Sequence, residues 1–306
     1  MTLTGILLDE PLNPGSDEWW QTYSASQVAA IVGLSKWDTP RSIYDAKKGI
    51  TPREPQTDAQ GRGHQFEPLI RGWVAGQNPE WTVSETGCWR HHERTNHTAT
   101  PDGIVVTAAG ERELLEIKTA EDIYTWGDTL LITYMVQVAW QMYVTGAQRC
   151  HVAVCGPFEL FNRRPKMFVI ERNDADIAAL VRRVDKFDAA LSAGIQPAAD
   201  HSRLPDQVAV RYGNTEIVDN PGLEIPDSLA VPYLDAFMRE AEVKAAKAST
   251  ASQLLEYLGS QKKATYRGHT IATRVNGRGD NPPTLRGVTG LADLATELLT
   301  NEKAAA

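Results

Sequence analysis

Apolar and polar positions in the first part of the chain switch between the 3.6-residue period of helices and the two-residue period of strands. Ser24 or Ser26 caps a predicted short helix through Ile31, which Gly33 stops. Thr39-Pro40 places a capping hydroxyl ahead of a proline at the first helical position, opening a helix that ends at Gly49. A helix is expected from Gln65 to Ala75, weakened by Gly61, Gly63 and Gly72 nearby. Trp81 to Arg90 alternates as a strand does. Thr98 to Val106 and Glu113 to Thr119 form a predicted strand pair joined by the Ala-Ala-Gly turn at 108–110. A helix over Leu130 to Thr145 follows, then strands at Arg149 to Cys155 and Pro165 to Glu171. A long helix capped by Asn173 or Asp174 runs to about Ala193 and ends at Gly194. Further on, the pattern predicts an amphipathic helix from Pro232 to Leu258, a strand from Thr265 to Val275 and a helix from Leu291 to Glu302.

The 306 residues suffice for one large domain with an appendage. Pro, Gly, Asp and Asn gather between Pro205 and Asn220, and all eight Trp lie between Trp19 and Trp140. We therefore expect a domain over 1–208 and a mainly helical extension over 209–306. An apolar content of 42% supports a real core. No apolar run reaches the ~18 residues of a membrane-spanning helix, and Met1 to Glu10 lacks the pattern of a secretion signal. The expected location is the cytoplasm. Cys88, Cys150 and Cys155 show no CxxC spacing, which argues against a disulfide framework or a cysteine-rich metal site.

The net charge of −8 argues against a general nucleic-acid binder. It hides a local reversal. Between Val243 and Gly290 lie eight basic residues (Lys244, Lys247, Lys262, Lys263, Arg267, Arg274, Arg278 and Arg286) against Glu256 and Asp280, a local charge of +6. That segment is a candidate DNA-contacting or oligomerisation arm, with a solvated helix face as the plain alternative.

The strongest chemical signal is Thr100-Pro101-Asp102-Gly103 followed by Leu115-Glu116-Ile117-Lys118. Glu116 and Lys118 are two apart on one strand and share a face, with Asp102 across the predicted hairpin. Two carboxylates beside a lysine suit metal-assisted phosphodiester hydrolysis. Hard oxygens hold Mg²⁺ or Mn²⁺, the ion polarises the phosphoryl group, and the ammonium stabilises developing charge. Taken alone, an ExK pair fits a solvated Glu/Lys face better, with Asp102 in a turn before Gly103.

Other segments join this pattern in order: Ser24-Ala25-Ser26, the run Ile31 to Pro40, Gly61-Arg62-Gly63-His64-Gln65-Phe66-Glu67, and Tyr134 to Gly146. As a set, from about Ser16 to Pro197, the chain resembles the YqaJ viral recombinases, relatives of the lambda-type exonucleases. The resemblance implies an α/β fold, a restriction-endonuclease-like mixed sheet flanked by helices. It implies that Glu67, Asp102 and Glu116 ligate metal with the Ile117 carbonyl, that Lys118 positions the nucleophile, and that Gln137 lies near the active site. It also places Ser26, Thr100 and Gln137 around a terminal 5′-phosphate, with Arg41 and Arg62 as candidates for the arginine that grips it. The plainer readings make Ser26 a helix cap and Trp19, Trp20, Trp89 and Trp140 core residues, and leave His64 and His97 outside any metal site.

The expected activity is metal-dependent DNA exonuclease action on linear duplex ends, 5′ to 3′, leaving 3′ single strands for phage-type recombination. The resemblance implies a homo-oligomer, a single-strand annealing protein as partner, and a phage or prophage origin in a bacterial host. The alternatives are a RecB-like or Cas4-like nuclease of other polarity, or a non-catalytic DNA-binding recombination partner.

Overall fold

The computed structural model describes residues 2–51, 58–123, 127–200, 222–277 and 282–303. It divides into two compact units, Met1–Glu216 and Ile217–Ala306. The boundary expected after residue 208 lies outside the described residues.

In the first unit the chain passes through β1 (Ile6–Leu7), α1 (Asp17–Trp20), β2 (Tyr23–Ser24), α2 (Ala25–Ile31), α3 (Pro40–Lys47) and α4 (Asp58–Gln77). It continues through β3 (Thr82–Ser84), β4 (Trp89–Arg90), β5 (His97–Ala99), β6 (Gly103–Val106), β7 (Arg112–Thr119) and α5 (Ile132–Thr145). The unit ends with β8 (Arg149–Cys155), α6 (Pro157–Asn162), β9 (Lys166–Glu171) and α7 (Asp174–Ser192).

The central sheet has the order β3-β6-β7-β8-β9, parallel between β7 and β8 and antiparallel elsewhere. Because β7 and β8 are parallel, their connection must cross over, and α5 is that crossover. Both sheet faces are covered. Leu114, Val152 and Val154 join the cluster built by α2, α5 and α7, including Val28, Trp140, Met142 and Val184. Leu115, Ile117 and Ala153 pack with Ile70 and Val74 of α4. The class is thus the mixed α/β arrangement with flanking helices that the sequence predicts.

Caps and stops follow the local chemistry. Thr39 accepts from the Ser42 N–H and sets Pro40 at the first helical position. Ser24, not Ser26, is the cap residue of α2, with the Gln27 side chain accepting from its backbone N–H. Asn173 caps α7. Gly33, Gly146 and Gly194 leave their helices at positive φ, where a Cβ would be strained.

Two expected strands turn out to be interrupted. Residues 81–90 divide into β3 and β4, and residues 98–106 into β5 and β6, with each pair split between the central sheet and a four-stranded sheet of order β1-β4-β5-β2. The ladders nevertheless share one register. Thr82 faces Val106 and Trp89 faces Ala99, so equal steps along both chains connect them without slip. Pairing lapses where 86–88 oppose 100–102. Pro101 has no N–H to give to a ladder there. Helix α4 also exceeds its prediction, running through Pro68 and four glycines. Ile70 and Val74, its fully buried residues, anchor it to the sheet, and tertiary burial outweighs propensity.

The second unit comprises α8 (Asp227–Leu258), an antiparallel sheet of β10 (Lys263–Tyr266), β11 (His269–Val275) and β12 (Thr284–Gly287), and α9 (Leu291–Lys303). Helix α8 begins five residues before Pro232, because Pro226 rather than Pro232 stands at its start. The extension is helical as expected, with a small sheet that the single predicted strand under-describes.

Candidate active site

Helix α5 carries apolar residues on most of its circumference, and Val138, Trp140, Met142 and Val144 are buried. Tyr134, Gln137 and Gln141 interrupt this pattern at intervals of three and four, so they share one face. That face lies on β7, where Glu116 is only 1% exposed. Gln137 Nε2 donates to Glu116 Oε1 at 2.6 Å, and Gln141 Nε2 donates to Oε2 at 2.7 Å. Lys118 Nζ donates to Oε1 at 2.5 Å and sits 5.3 Å from the centre of the Tyr134 ring. Three donors therefore fix one buried carboxylate.

Asp102 enters from the gap in the ribbon, directly before β6. The Gly103–Leu115 pairing sets it opposite Glu116, and its Oδ2 accepts the Ile117 N–H at 2.6 Å. Gly103 permits this approach, since a Cβ there would come within 2.8 Å of the Ser84 carbonyl. Burial, then the charges of Glu116 and Glu67, push the Asp102 carboxyl well above the usual range. Lys118 and the Ile117 N–H only partly offset this. Burial works against a charged Lys118, but Glu116 and Asp102 outweigh it, so its pKa lies above the ordinary lysine value. Tyr134 is raised by burial, with Lys118 opposing and Glu116 assisting.

Glu67, on α4, pairs with His64 Nδ1 at 3.0 Å and lies within electrostatic reach of Asp102. Among the described residues, no three His, Cys, Asp or Glu side chains stand close enough together to form an ion-holding group. Ser26 is the exposed position of the otherwise buried α2, with its Oγ 3.0 Å from Ser24 Oγ. Thr100 is exposed as well, whereas Gln137 is held by Glu116. Arg41 bonds Asp45 at 3.2 Å and the Pro197 carbonyl at 3.1 Å, while Arg62 is exposed on α4.

The core reading holds for Trp89 and Trp140, whereas Trp19 and Trp20 are half-buried. His97 is buried, with Nδ1 3.1 Å from the Tyr143 hydroxyl. Trp140 is fully buried and donates to the carbonyls of Tyr23 and Thr98. All three cysteines are buried and free. A cleft of about 580 Å³ bounded by Leu7, Ser84, Thr86, Ile104 and Arg112 contains none of the candidate residues.

Sequence reasoning missed Gln141 and the contact of Tyr134 with Lys118. The signal was available, because polar side chains one turn from Gln137 stand in an otherwise apolar helix.

Residues 20–148 match the model of the YqaJ-like viral recombinase domain. The matched stretch makes up less than half of the chain. It contains every candidate residue from Ser26 to Gln141. The chain is 27% identical over 212 residues to the uncharacterized protein YqaJ of Bacillus subtilis, a match covering 65% of this chain and 64% of that protein. The chain thus spans a little under two thirds of that relative's length. Among solved structures it is similar to an alkaline exonuclease from Laribacter hongkongensis, at 25% identity and a TM-score of 0.48, covering 63% of this chain and 98% of the other. It is also similar to a phage-related exonuclease from Haemophilus somnus, at 14% identity and a TM-score of 0.43, covering 57% and 95% respectively. No described helix is long and apolar enough to cross a membrane.

Proposed function

We propose that the chain is a divalent-metal-dependent DNA exonuclease that degrades linear duplex from its 5′ ends. The observation that carries this reading is the meeting of Asp102, Glu116 and Lys118 at the start of the β6–β7 hairpin, with Glu67 in charge contact.

The donor set suits Mg²⁺ or Mn²⁺. Glu67, Asp102, Glu116 and the Ile117 carbonyl offer only hard oxygens. Burial and then repulsion raise Asp102, and a cation among these carboxylates relieves both. A carboxylate has about four lone-pair positions. Glu116 uses three, from Lys118, Gln137 and Gln141, which leaves one on Oε2. Bound there, the ion would supply Lewis-acid polarisation of the phosphodiester. Lys118, kept charged, orients the attacking water and meets negative charge as it develops on the phosphoryl oxygens. Gln137 and Gln141 hold Glu116 in place. Ser26 and Thr100 are exposed residues whose hydroxyls are able to donate to a terminal phosphate, with the Gln137 amide as the third donor.

In this reading duplex DNA ends are the substrate, the surviving 3′ strand passes to a single-strand annealing protein, and the chain works as a homo-oligomer in the cytoplasm of a bacterial host carrying a phage or prophage. Digestion of linear duplex labelled at either end, with Mg²⁺ or Mn²⁺, tests it. The expected result is early release of the 5′ label, faster from 5′-phosphate than from 5′-hydroxyl ends. Absence of cleavage with either metal would overturn the reading. Early release of the 3′ label would reverse the polarity.

A further inference from the structure

The active-site lysine is the inner end of a chain of rings that reaches solvent. Tyr134, whose ring lies 5.3 Å from Lys118 Nζ, contacts Trp37 at 6.0 Å between ring centres and 50° between planes. Trp37 lies in the turn between α2 and α3 and is 57% exposed. Leu34, Ile132 and Met135 are also exposed. Lys36 Nζ stands 4.6 Å from the Trp37 ring centre. The turn is tied to α5 by Thr133 Oγ1, which donates to the Leu34 carbonyl at 2.8 Å. It is also braced internally by Ser35 Oγ, which accepts the Trp37 and Asp38 N–H groups.

We infer that Trp37 is a stacking platform for a nucleobase of the DNA strand entering the active site, with Lys36 serving the phosphate beside that base. The inference rests on the nuclease reading above. Three features favour a nucleobase. An exposed indole offers a flat apolar face, which every base matches regardless of sequence. The ammonium next to it complements a phosphodiester and not a neutral apolar partner. Finally, the ring is linked through Tyr134 to the lysine assigned to the scissile phosphate, so base and phosphate contacts belong to neighbouring nucleotides of one strand. An exonuclease working along DNA gains from such a contact, because it holds each successive base without reading it.

The test uses the full-length protein with Ca²⁺ in place of Mg²⁺, and linear duplexes carrying 2-aminopurine at each of the first four nucleotides of the 5′ strand. Wild-type protein should quench the probe at one of these positions. Trp37→Ala should lose that quenching and bind about 5-fold to 150-fold more weakly, the range for one lost base–aromatic stack. Trp37→Phe should retain most of both. An abasic nucleotide at the quenched position should weaken wild-type binding by a similar factor and leave Trp37→Ala unaffected. Position-independent quenching, or an abasic effect as large in Trp37→Ala as in wild type, would overturn the platform. In that case cleavage of the unmodified duplex with Mg²⁺ would leave the nuclease reading standing. Wild-type protein that neither binds nor cuts DNA would sink both.

Discussion

Gln141 Nε2 donates to Glu116 Oε2 at 2.7 Å, and both residues are shielded from solvent. The other amide atom, Gln141 Oε1, is buried without a partner. The amide is therefore oriented by what Glu116 needs, at some cost to itself. Gln141→Ala should leave a buried carboxylate oxygen short of a donor and cost about 1–3 kcal/mol. Gln141→Glu keeps the shape but opposes two buried carboxyls, so its loss of stability should be larger at pH 8 than at pH 5. Urea unfolding at the two pH values measures both effects.

Asp102 offers a prediction of opposite sign for stability and activity. An acid whose folded-state pKa is raised binds more protons folded than unfolded, so its contribution to stability falls as pH rises from the unfolded value of about 3.9 through the folded one. Asp102→Asn removes the repulsion with Glu116 and still offers an acceptor to the Ile117 N–H. Without divalent metal, the melting temperature at pH 8 should rise, and the gain should shrink towards pH 4. Cleavage should be abolished. A variant that cleaves at near wild-type rates would end the assignment of Asp102.

Lys118 should stay protonated throughout the neutral and mildly alkaline range, because Glu116 and Asp102 raise its pKa. The rate should show no lysine inflection up to about pH 10. The same raised pKa means that the stability conferred by the charged pair is fully present below the unfolded lysine value and is lost only as pH rises through the folded one. Lys118→Ala should lower kcat by roughly 10²–10³-fold, the usual cost of one electrostatic stabiliser. Isothermal titration of Mn²⁺ should show little change in affinity.

In the second unit, Lys263 and Arg274 lie on neighbouring strands, and the Arg274 N–H reaches the Lys262 carbonyl at 2.8 Å. The basic charge there is thus gathered on a small sheet. Arg278, part of the same stretch of sequence, lies outside the described residues. Neutralising Lys262, Lys263 and Arg274 together should flatten the dependence of log Kd on log salt by up to about three units, near one per lost phosphate contact. Single-turnover cleavage at saturating DNA should be unchanged. An unaltered slope would assign the sheet a role other than DNA contact.

The sequence was readable where an element was long or well capped. Helices α2, α3 and α7 carry their own start and stop residues, α5 ends at Gly146, and β7, β8 and β9 fall where alternation or apolar runs set them. It was least readable in elements too short to have a period, such as β1, β2 and α1. Helix α6 escaped notice because it is six residues long and exposes Phe158 and Phe161, while only Leu160 among its apolar side chains packs against the core. At the site, Asp102, Glu116 and Lys118 were visible as a local pattern. Gln141 was not, because glutamine in a buried helix acquires meaning only when its partner across the sheet is known.

The lapse in pairing between 86–88 and 100–102 sets thermal robustness against chemistry. A ribbon paired without interruption would satisfy more backbone groups, and a β-branched residue at position 101 would favour one. It would also draw residue 102 into regular alternation and away from the Ile117 N–H. A library of this chain screened for heat resistance alone should therefore enrich Pro101→Val or Pro101→Thr, and the survivors should cut DNA poorly. The same library screened for cleavage at elevated temperature should keep proline there and find its stabilising changes elsewhere.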